Sequence, residues 1–361
     1  MNALQEFLVF ILTAYLSFTN TLAHSIESIL PGNEPAPAME ESIEDEESLS
    51  LLPSIFGTSI PDILLRNAEF QQAALSSAGL SGSNTTDPLD ALVNVFCTFT
   101  TPDYIRTTTG SGFFIDPDGI LMTNAHIAQF LLLEKTDTFG DAECIIRTGS
   151  PAQAEYEAEL LYISPAWVQE NASTFTDAVP MGTGERDYAL LYVSDSVDNE
   201  PLPAVFPALA VDSQLLPVSS KESSVTAAGY PATDLIRNGA DTDLLARKAD
   251  TTISELYTFG SNYADVFSMR GTEVGAEGSS GGPIVNEAGE VIGLIATRGD
   301  DAVDGAGSLR AITMSHINRT IEQETGFTLE ENLNGNLTLR ARIFSETLAP
   351  FLIQIIEQGS R

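Results

Sequence analysis

Gly278-Ser279-Ser280-Gly281-Gly282-Pro283 sets a serine between glycines. A serine hydroxyl is a weak nucleophile until a base takes its proton and donors await the oxyanion. Flanking glycines let the backbone turn tightly and present N–H groups, which makes Ser280 the candidate nucleophile. A glycine-rich turn without chemistry is the plain alternative. The segment also fits the looser G-x-S-x-G pattern of the hydrolase nucleophile elbow. The base for such a serine is a histidine, and the chain holds three: His24, His126 and His316. His126 follows the apolar run Leu121-Met122-Thr123-Asn124-Ala125, where a satisfied core histidine is the competing reading. A third partner, a carboxylate, must orient the imidazole. Asp187 stands at the mouth of the apolar run Tyr188-Ala189-Leu190-Leu191-Tyr192-Val193. That setting suits partial burial beside a cation, and an ordinary strand-edge aspartate is the alternative.

Such residues must be carried by rigid elements, and from about Leu89 the sequence supplies them. Short runs rich in Val, Ile, Phe and Tyr alternate with turn residues: 92–99, 111–115, 119–123, 143–148, 158–163, 188–193, 224–230, 282–286 and 290–297. Pro117-Asp118-Gly119 and Glu287-Ala288-Gly289-Glu290 read as turns between paired strands. Many short strands over about 230 residues predict an all-β sandwich or barrel, or two barrels. A helix is expected over Ser315–Glu324 with Ser315 as its N-cap. Leu337–Glu357 shows apolar residues at helical spacing, with Pro350 expected to kink it or end its first part.

Upstream, Phe7–Phe18 is a twelve-residue uncharged run, short for a membrane span and suited to the core of a signal peptide, with Thr21-Leu22-Ala23 as a cleavage site. Residues 1–23 are therefore expected to be a signal peptide or membrane anchor, and the protein to be exported: periplasmic, extracellular or tethered through residues 7–18. Residues 24–88 read as an acidic linker centred on Glu40–Glu47, with a short helix over Pro61–Leu75.

The 361 residues carry 51 acidic and 16 basic side chains, a formal net charge of −35. That surface repels phosphate backbones, so no nucleic-acid partner is expected. Two cysteines and three histidines argue against a cysteine-built zinc site or a multi-histidine metal centre. No glycine-rich phosphate loop is present, and no metal or cofactor is expected.

GSGFFIDPDGILMTNAHI (110–127), RDYALLYV (186–193) and EGSSGGPIVNEAGEVIGLIAT (277–297) together resemble the chymotrypsin-fold, trypsin-like serine proteases, nearest to the bacterial Deg-type branch. The order His126, Asp187, Ser280, at spacings of 61 and 93 residues, is that family's order. An α/β-hydrolase needs its acid and histidine after the serine, and only His316 lies there. The resemblance implies two six-stranded Greek-key barrels with flanking N- and C-terminal helices. The protease domain would span 89–325 and a C-terminal helical extension 326–361. The 64 residues after Thr297 are too few for the PDZ domain common in the Deg-type branch.

The same resemblance assigns roles. Ser280 would attack the scissile carbonyl, His126 would act as base and then acid, and Asp187 would hold the His126 tautomer. The backbone N–H groups of Gly278 and Ser280 would form the oxyanion hole. Val274, Ile295, Ala296 and Thr297 would wall the pocket for the side chain before the cut bond. Ser279 stands where digestive proteases carry the aspartate that pairs with a new N-terminus, and Val274 where trypsin-like enzymes carry the specificity aspartate. Cleavage after small or aliphatic residues is therefore expected, although Glu277 or the acids Asp300, Asp301 and Asp304 could reach the pocket and favour a basic residue. Cys97 and Cys144 would lie in neighbouring strands, where a disulfide is open to an exported protein and two buried thiols are the alternative. The implied function is a serine endopeptidase acting on proteins or peptides. A non-cleaving binding or chaperone-like protein on the same fold, and an esterase using the same triad, are the rivals.

Overall fold

The computed structural model describes residues 82–100, 105–136, 140–173, 184–238, 242–260 and 262–359. The expected leader, most of the acidic linker and the helix over Pro61–Leu75 lie outside the described residues. Asp87 caps a short helix, α1 (Pro88–Ala91), by accepting the Leu89 N–H. The chain then enters β1 (Leu92–Thr100), whose buried Leu92, Val93 and Val95 open the first barrel. β2 (Ile105–Asp116) returns beside it. Gly119, at φ +92°, closes the Pro117-Asp118-Gly119 turn into β3 (Ile120–Thr123). Helix α2 (Ala125–Leu133), β4 (Asp141–Thr148) and β5 (Gln153–Ile163) follow, then α3 (Pro165–Asn171) and β6 (Ala189–Ser196). These six strands close in the order β1-β2-β3-β6-β5-β4, every pair antiparallel.

The second barrel begins with β7 (Ser224–Gly229) and continues through α4 (Thr233–Asn238), β8 (Arg247–Tyr257), β9 (Val266–Met269), β10 (Pro283–Val285) and β11 (Val291–Arg298). After a one-turn helix, α5 (Asp301–Asp304), β12 (Leu309–Thr313) completes it. Its order is β10-β11-β12-β9-β8-β7, again closed and antiparallel. Closure leaves no sheet edge to pair with another chain. The two six-stranded barrels are the chymotrypsin-like architecture that the resemblance implied.

Three local findings refine the expectations. Helix α6 runs Met314–Thr325, and its N-cap is Thr313, whose hydroxyl accepts the His316 N–H at 3.1 Å, so the cap lies two residues before Ser315. After α7 (Leu329–Asn332) comes α8 (Leu337–Ile343). Pro350 lacks the N–H that the Glu346 carbonyl would receive in a regular helix. The backbone widens into a π turn over Phe344–Leu348 and resumes as α9 (Ala349–Gly359), so the helical path continues through the proline. Phe344, Leu348, Leu352 and Ile356 then join the first barrel's own hydrophobic cluster, with Phe113, Leu121 and Leu191. At about 25 cal/mol per Å² of apolar surface, burying four such side chains gives roughly 1.5–3 kcal/mol each toward docking the C-terminal helices.

Cys97 and Cys144 are direct partners in the β1–β4 register, and the structure joins them as a disulfide.

Candidate active site

β3 is buried throughout, and at its end Asn124 adopts extended backbone before α2 begins. This puts His126 in the first helical turn, not on the strand, with 8% of its surface exposed. Its Nδ1 lies 2.7 Å from Asp187 Oδ2, and its backbone N–H donates to Asp187 Oδ1 at 2.9 Å. An ionised carboxylate only accepts, so Nδ1 carries the proton and Nε2 of the neutral ring bears the free lone pair. Asn124 Nδ2 donates to the Asp187 carbonyl at 2.8 Å. The aspartate is thus held from its main chain and both carboxylate oxygens, and it is 1% exposed.

Asp187 reaches this position through an unusual backbone. Arg186 takes φ +57°, the left-handed region that side chains other than glycine rarely adopt. Its side chain is nearly buried and lies 3.2 Å from Glu324 Oε1 on α6, at an angle too poor for a hydrogen bond. Glu324 also receives the hydroxyls of Tyr162 and Ser164, the latter at 3.0 Å. Burial pushes the Glu324 carboxyl up to about 7, while Tyr162, Arg186 and Ser164 pull it down and Glu170 raises it further.

The serine turn is tied to both barrels. Ser111, on β2, donates its N–H to the Ser280 carbonyl at 2.7 Å and its hydroxyl to the Gly278 carbonyl at 2.7 Å, and accepts the Tyr230 N–H at 2.9 Å. Thr123 in turn donates its hydroxyl to the Ser111 carbonyl at 2.7 Å. Ala232 N–H holds the Glu277 carbonyl at 2.7 Å, and Gly282 N–H holds that of Ser279 at 3.0 Å. In a planar trans peptide the N–H points opposite to the C=O. The N–H groups of Gly278 and Ser280 are therefore turned away from these anchors, and among the described residues they donate to no protein acceptor. Two glycines are required here. Gly278 sits at φ +93°. Gly281 sits at φ +87°, where a Cβ would lie 2.0 Å from the Ser111 carbonyl oxygen and 2.6 Å from Thr123 Oγ1.

That close approach seats the turn against β2 and the end of β3, three residues before His126. Ser280 is partly exposed. Its Oγ makes a long contact, 3.5 Å, to the Ala296 carbonyl, and among the described residues no hydrogen bond joins it to His126. Catalytic hydrogen bonds are often long without substrate and tighten only when it binds. Ser279 is fully buried and folds back on its own loop, its hydroxyl donating to the Val274 carbonyl at 2.5 Å.

The four expected pocket residues divide. Val274 and Ile295 are buried in the second barrel's core with Leu309 and Ala311. Ala296 and Thr297 instead line an open cavity of about 220 Å³, together with Gly184, Tyr257, Phe259 and Arg310. Among the described residues, no carboxylate lines this cavity. Asp300 caps α5, and Asp301 binds Arg298 at 2.9 Å and Ser308 at 3.1 Å, so the acidic loop is engaged with itself. The third histidine, His316, is buried on α6 and pairs with Asp265 at 3.1 Å, with Arg319 on the same oxygen at 2.6 Å. Burial, more than any other influence, lowers its pKa.

Sequence reasoning missed Ser111, Asn124 and Arg310. Ser111 lies in the quoted Gly110-Ser111-Gly112 triplet, where a polar residue between glycines inside an apolar strand was the available signal. Asn124 directly precedes Ala125-His126, and an Asn before a helix is an N-cap signal. Arg310 carried no signal, because its strand was not recognised.

Two closed barrels, a buried His–Asp pair beside their junction and a serine turn with free amides are the layout of trypsin-like peptidases. The trypsin-like peptidase domain family matches residues 110–294, and the chain belongs to that family. Protease Do-like 2, chloroplastic, from Arabidopsis thaliana is 26% identical over 235 residues, which is 61% of this chain. The matched part is 31% of that relative's length, so this chain spans about a third of it. Among solved structures, the active form of the Rv3671c protease from M. tuberculosis aligns with 18% identity and a TM-score of 0.39, covering 81% of this chain and 96% of that one. Deg5 aligns with 17% identity and a TM-score of 0.40, covering 64% and 87%. Among the described residues, no helix is long and apolar enough to cross a membrane.

Proposed function

We propose that the chain is a serine endopeptidase in which Ser280 is the nucleophile, His126 the general base and Asp187 its orienting carboxylate. Ser280 Oγ attacks the peptide carbonyl as His126 Nε2 takes its proton. The imidazolium that forms is stabilised by Asp187, which stays ionised. The carbonyl π pair moves onto oxygen, and the free N–H groups of Gly278 and Ser280 receive that oxyanion. Collapse of the adduct expels the amine, which takes the proton from His126, and water then frees the acyl group by the same route. The observation that carries this reading is the pairing of His126 and Asp187 through two hydrogen bonds beside a turn whose carbonyls are tied and whose two amides are unpaired. The test is hydrolysis of casein by the intact chain and by Ser280→Ala. Loss of cleavage with an unchanged melting curve supports the assignment, and equal rates refute it.

A second reading rests on the Ser280 rotamer. With Oγ in long contact with the Ala296 carbonyl and no hydrogen bond to His126 among the described residues, the chain could bind extended peptides without cutting them. Binding without turnover in the casein assay would favour it, and turnover of simple esters alone would favour an esterase. Protein or peptide substrates follow from the family reading. Export, or tethering through residues 7–18, is supported by the disulfide between Cys97 and Cys144, which persists in oxidising compartments.

A further inference from the structure

We propose that the cavity beside Ser280 is a subsite for an acidic side chain of the substrate, with Arg310 as the residue that selects it. The inference rests on the peptidase reading above and adds a chemical class to its substrate. Three observations place the cavity in the substrate's path. Ala296 lines it, and the carbonyl of that same residue lies 3.5 Å from Ser280 Oγ. Gly184 lines it from the segment that delivers Asp187, to which it is linked by a 3.4 Å Asp187 N–H to Gly184 carbonyl contact. Thr297 lies next along β11, and its register partner on β12 is Arg310. A chain lying along β11 past Ser280 therefore presents a nearby side chain to the opening.

Among the described residues of the lining, Arg310 is the one that carries a charge. Its Nε is buried without a hydrogen-bond partner, and among the described residues its guanidinium forms no ion pair and no hydrogen bond. Its described contact is with an aromatic face, the guanidinium carbon lying 5.3 Å from the Tyr257 ring centroid. Arg186, Arg270, Arg298 and Arg319 reach carboxylates, whereas Arg310, like Arg147 over the Phe96 ring, faces an aromatic side chain and, unlike Arg147, lines this cavity. A planar fork of donors, desolvated on one side and left unpaired, is a binding site for a carboxylate, which it can grip with two parallel hydrogen bonds. Tyr257 and Phe259 supply apolar walls for the methylenes of a glutamate, and the Tyr257 ring holds the guanidinium plane in place. The acidic surface repels such a substrate at long range, so selection by Arg310 is a short-range effect that survives physiological salt while the repulsion is screened.

The test uses the full chain with Ser280→Ala, so that peptides stay intact, in 0.15 M salt on the order of physiological strength. C-terminally amidated fluorescent peptides carry Glu, Gln or Lys at one position, which is walked along an otherwise uncharged sequence. At one position Glu should bind about tenfold tighter than Gln, with Lys weaker than both, the range expected of a charge-assisted pair. Adding Arg310→Gln should bring the Glu/Gln ratio to within about twofold of one, and Arg310→Lys should keep part of it. A ratio near one at every position in the chain bearing native Arg310 overturns the proposal without needing any change at that residue. A glutamate preference that persists in Arg310→Gln overturns it too, as does absence of binding by all peptides. Failure of the peptidase reading is seen separately: a chain that shows the Glu preference yet leaves casein intact keeps the subsite and loses the protease.

Discussion

Replacing Glu324 with Gln should flatten the dependence of stability on pH. Glu324 is 4% exposed on α6 and faces Tyr162, Ser164 and Arg186, with Glu170 also felt. Burial raises its pKa from 4.5 to about 7, so between those values the folded chain holds a proton that the unfolded chain has released. Stability then falls as pH rises through that window and levels off above it. The favourable contribution is whole below the unfolded value and lost by the time pH passes the folded one. A rise of that size corresponds to about 3 kcal/mol at 1.36 kcal/mol per pH unit. Asp116, pushed up to about 6, and Glu134, pushed up to about 7, each chiefly by burial, add slopes of the same sign. The informative quantity is therefore the difference between parent and variant at pH 5 and pH 8. Urea unfolding at both should show Glu324→Gln losing stability relative to the parent at pH 5 and recovering most of about 3 kcal/mol at pH 8. A parent–variant difference that is the same at both pH values would refute the reasoning and mean that Glu324 stays ionised against Arg186 throughout.

Two further outcomes follow from the geometry. Asp187→Asn can still accept from one His126 donor but no longer fixes the proton on Nδ1, so kcat on a peptide should drop by about 10⁴ with little change in KM; a loss under tenfold would contradict its role. Cys97→Ser opens a link closing 47 residues, which should lower stability by up to about 4 kcal/mol in oxidised protein and by much less in reduced protein, as read by urea unfolding with and without reductant.

All of the first barrel and half of the second could be read from the chain because those strands are apolar on the buried face. β3 and β11 are nearly continuous hydrophobic runs, and β6 announces itself after Asp187. β8, β9 and β12 could not be read this way. Arg247–Tyr257 is polar along most of its length, with Ile253 as its one buried residue, and Val266–Met269 and Leu309–Thr313 are too short to show a period. Pairing across a closed barrel, not local pattern, makes them strands. Arg310 was lost with β12, and the cavity chemistry with it. As candidates, His126 stood out because histidine is scarce, Ser280 because glycines follow it, and Asp187 because it opens the apolar run 188–193. The supports of the site were not, since Ser111 and Glu324 act across 167 and 160 residues of sequence on Gly278 and Ser164.

The proposed function turns on Ser280 being a nucleophile activated by His126 and Asp187. Labelling of the intact chain with a fluorophosphonate, followed by peptide mapping, tests it most directly, because phosphonylation needs an activated serine and no knowledge of the substrate. One adduct is expected, on Ser280, and it should be lost in His126→Ala while the fold persists by circular dichroism. An unlabelled native chain, or labelling that survives His126→Ala, would contradict it.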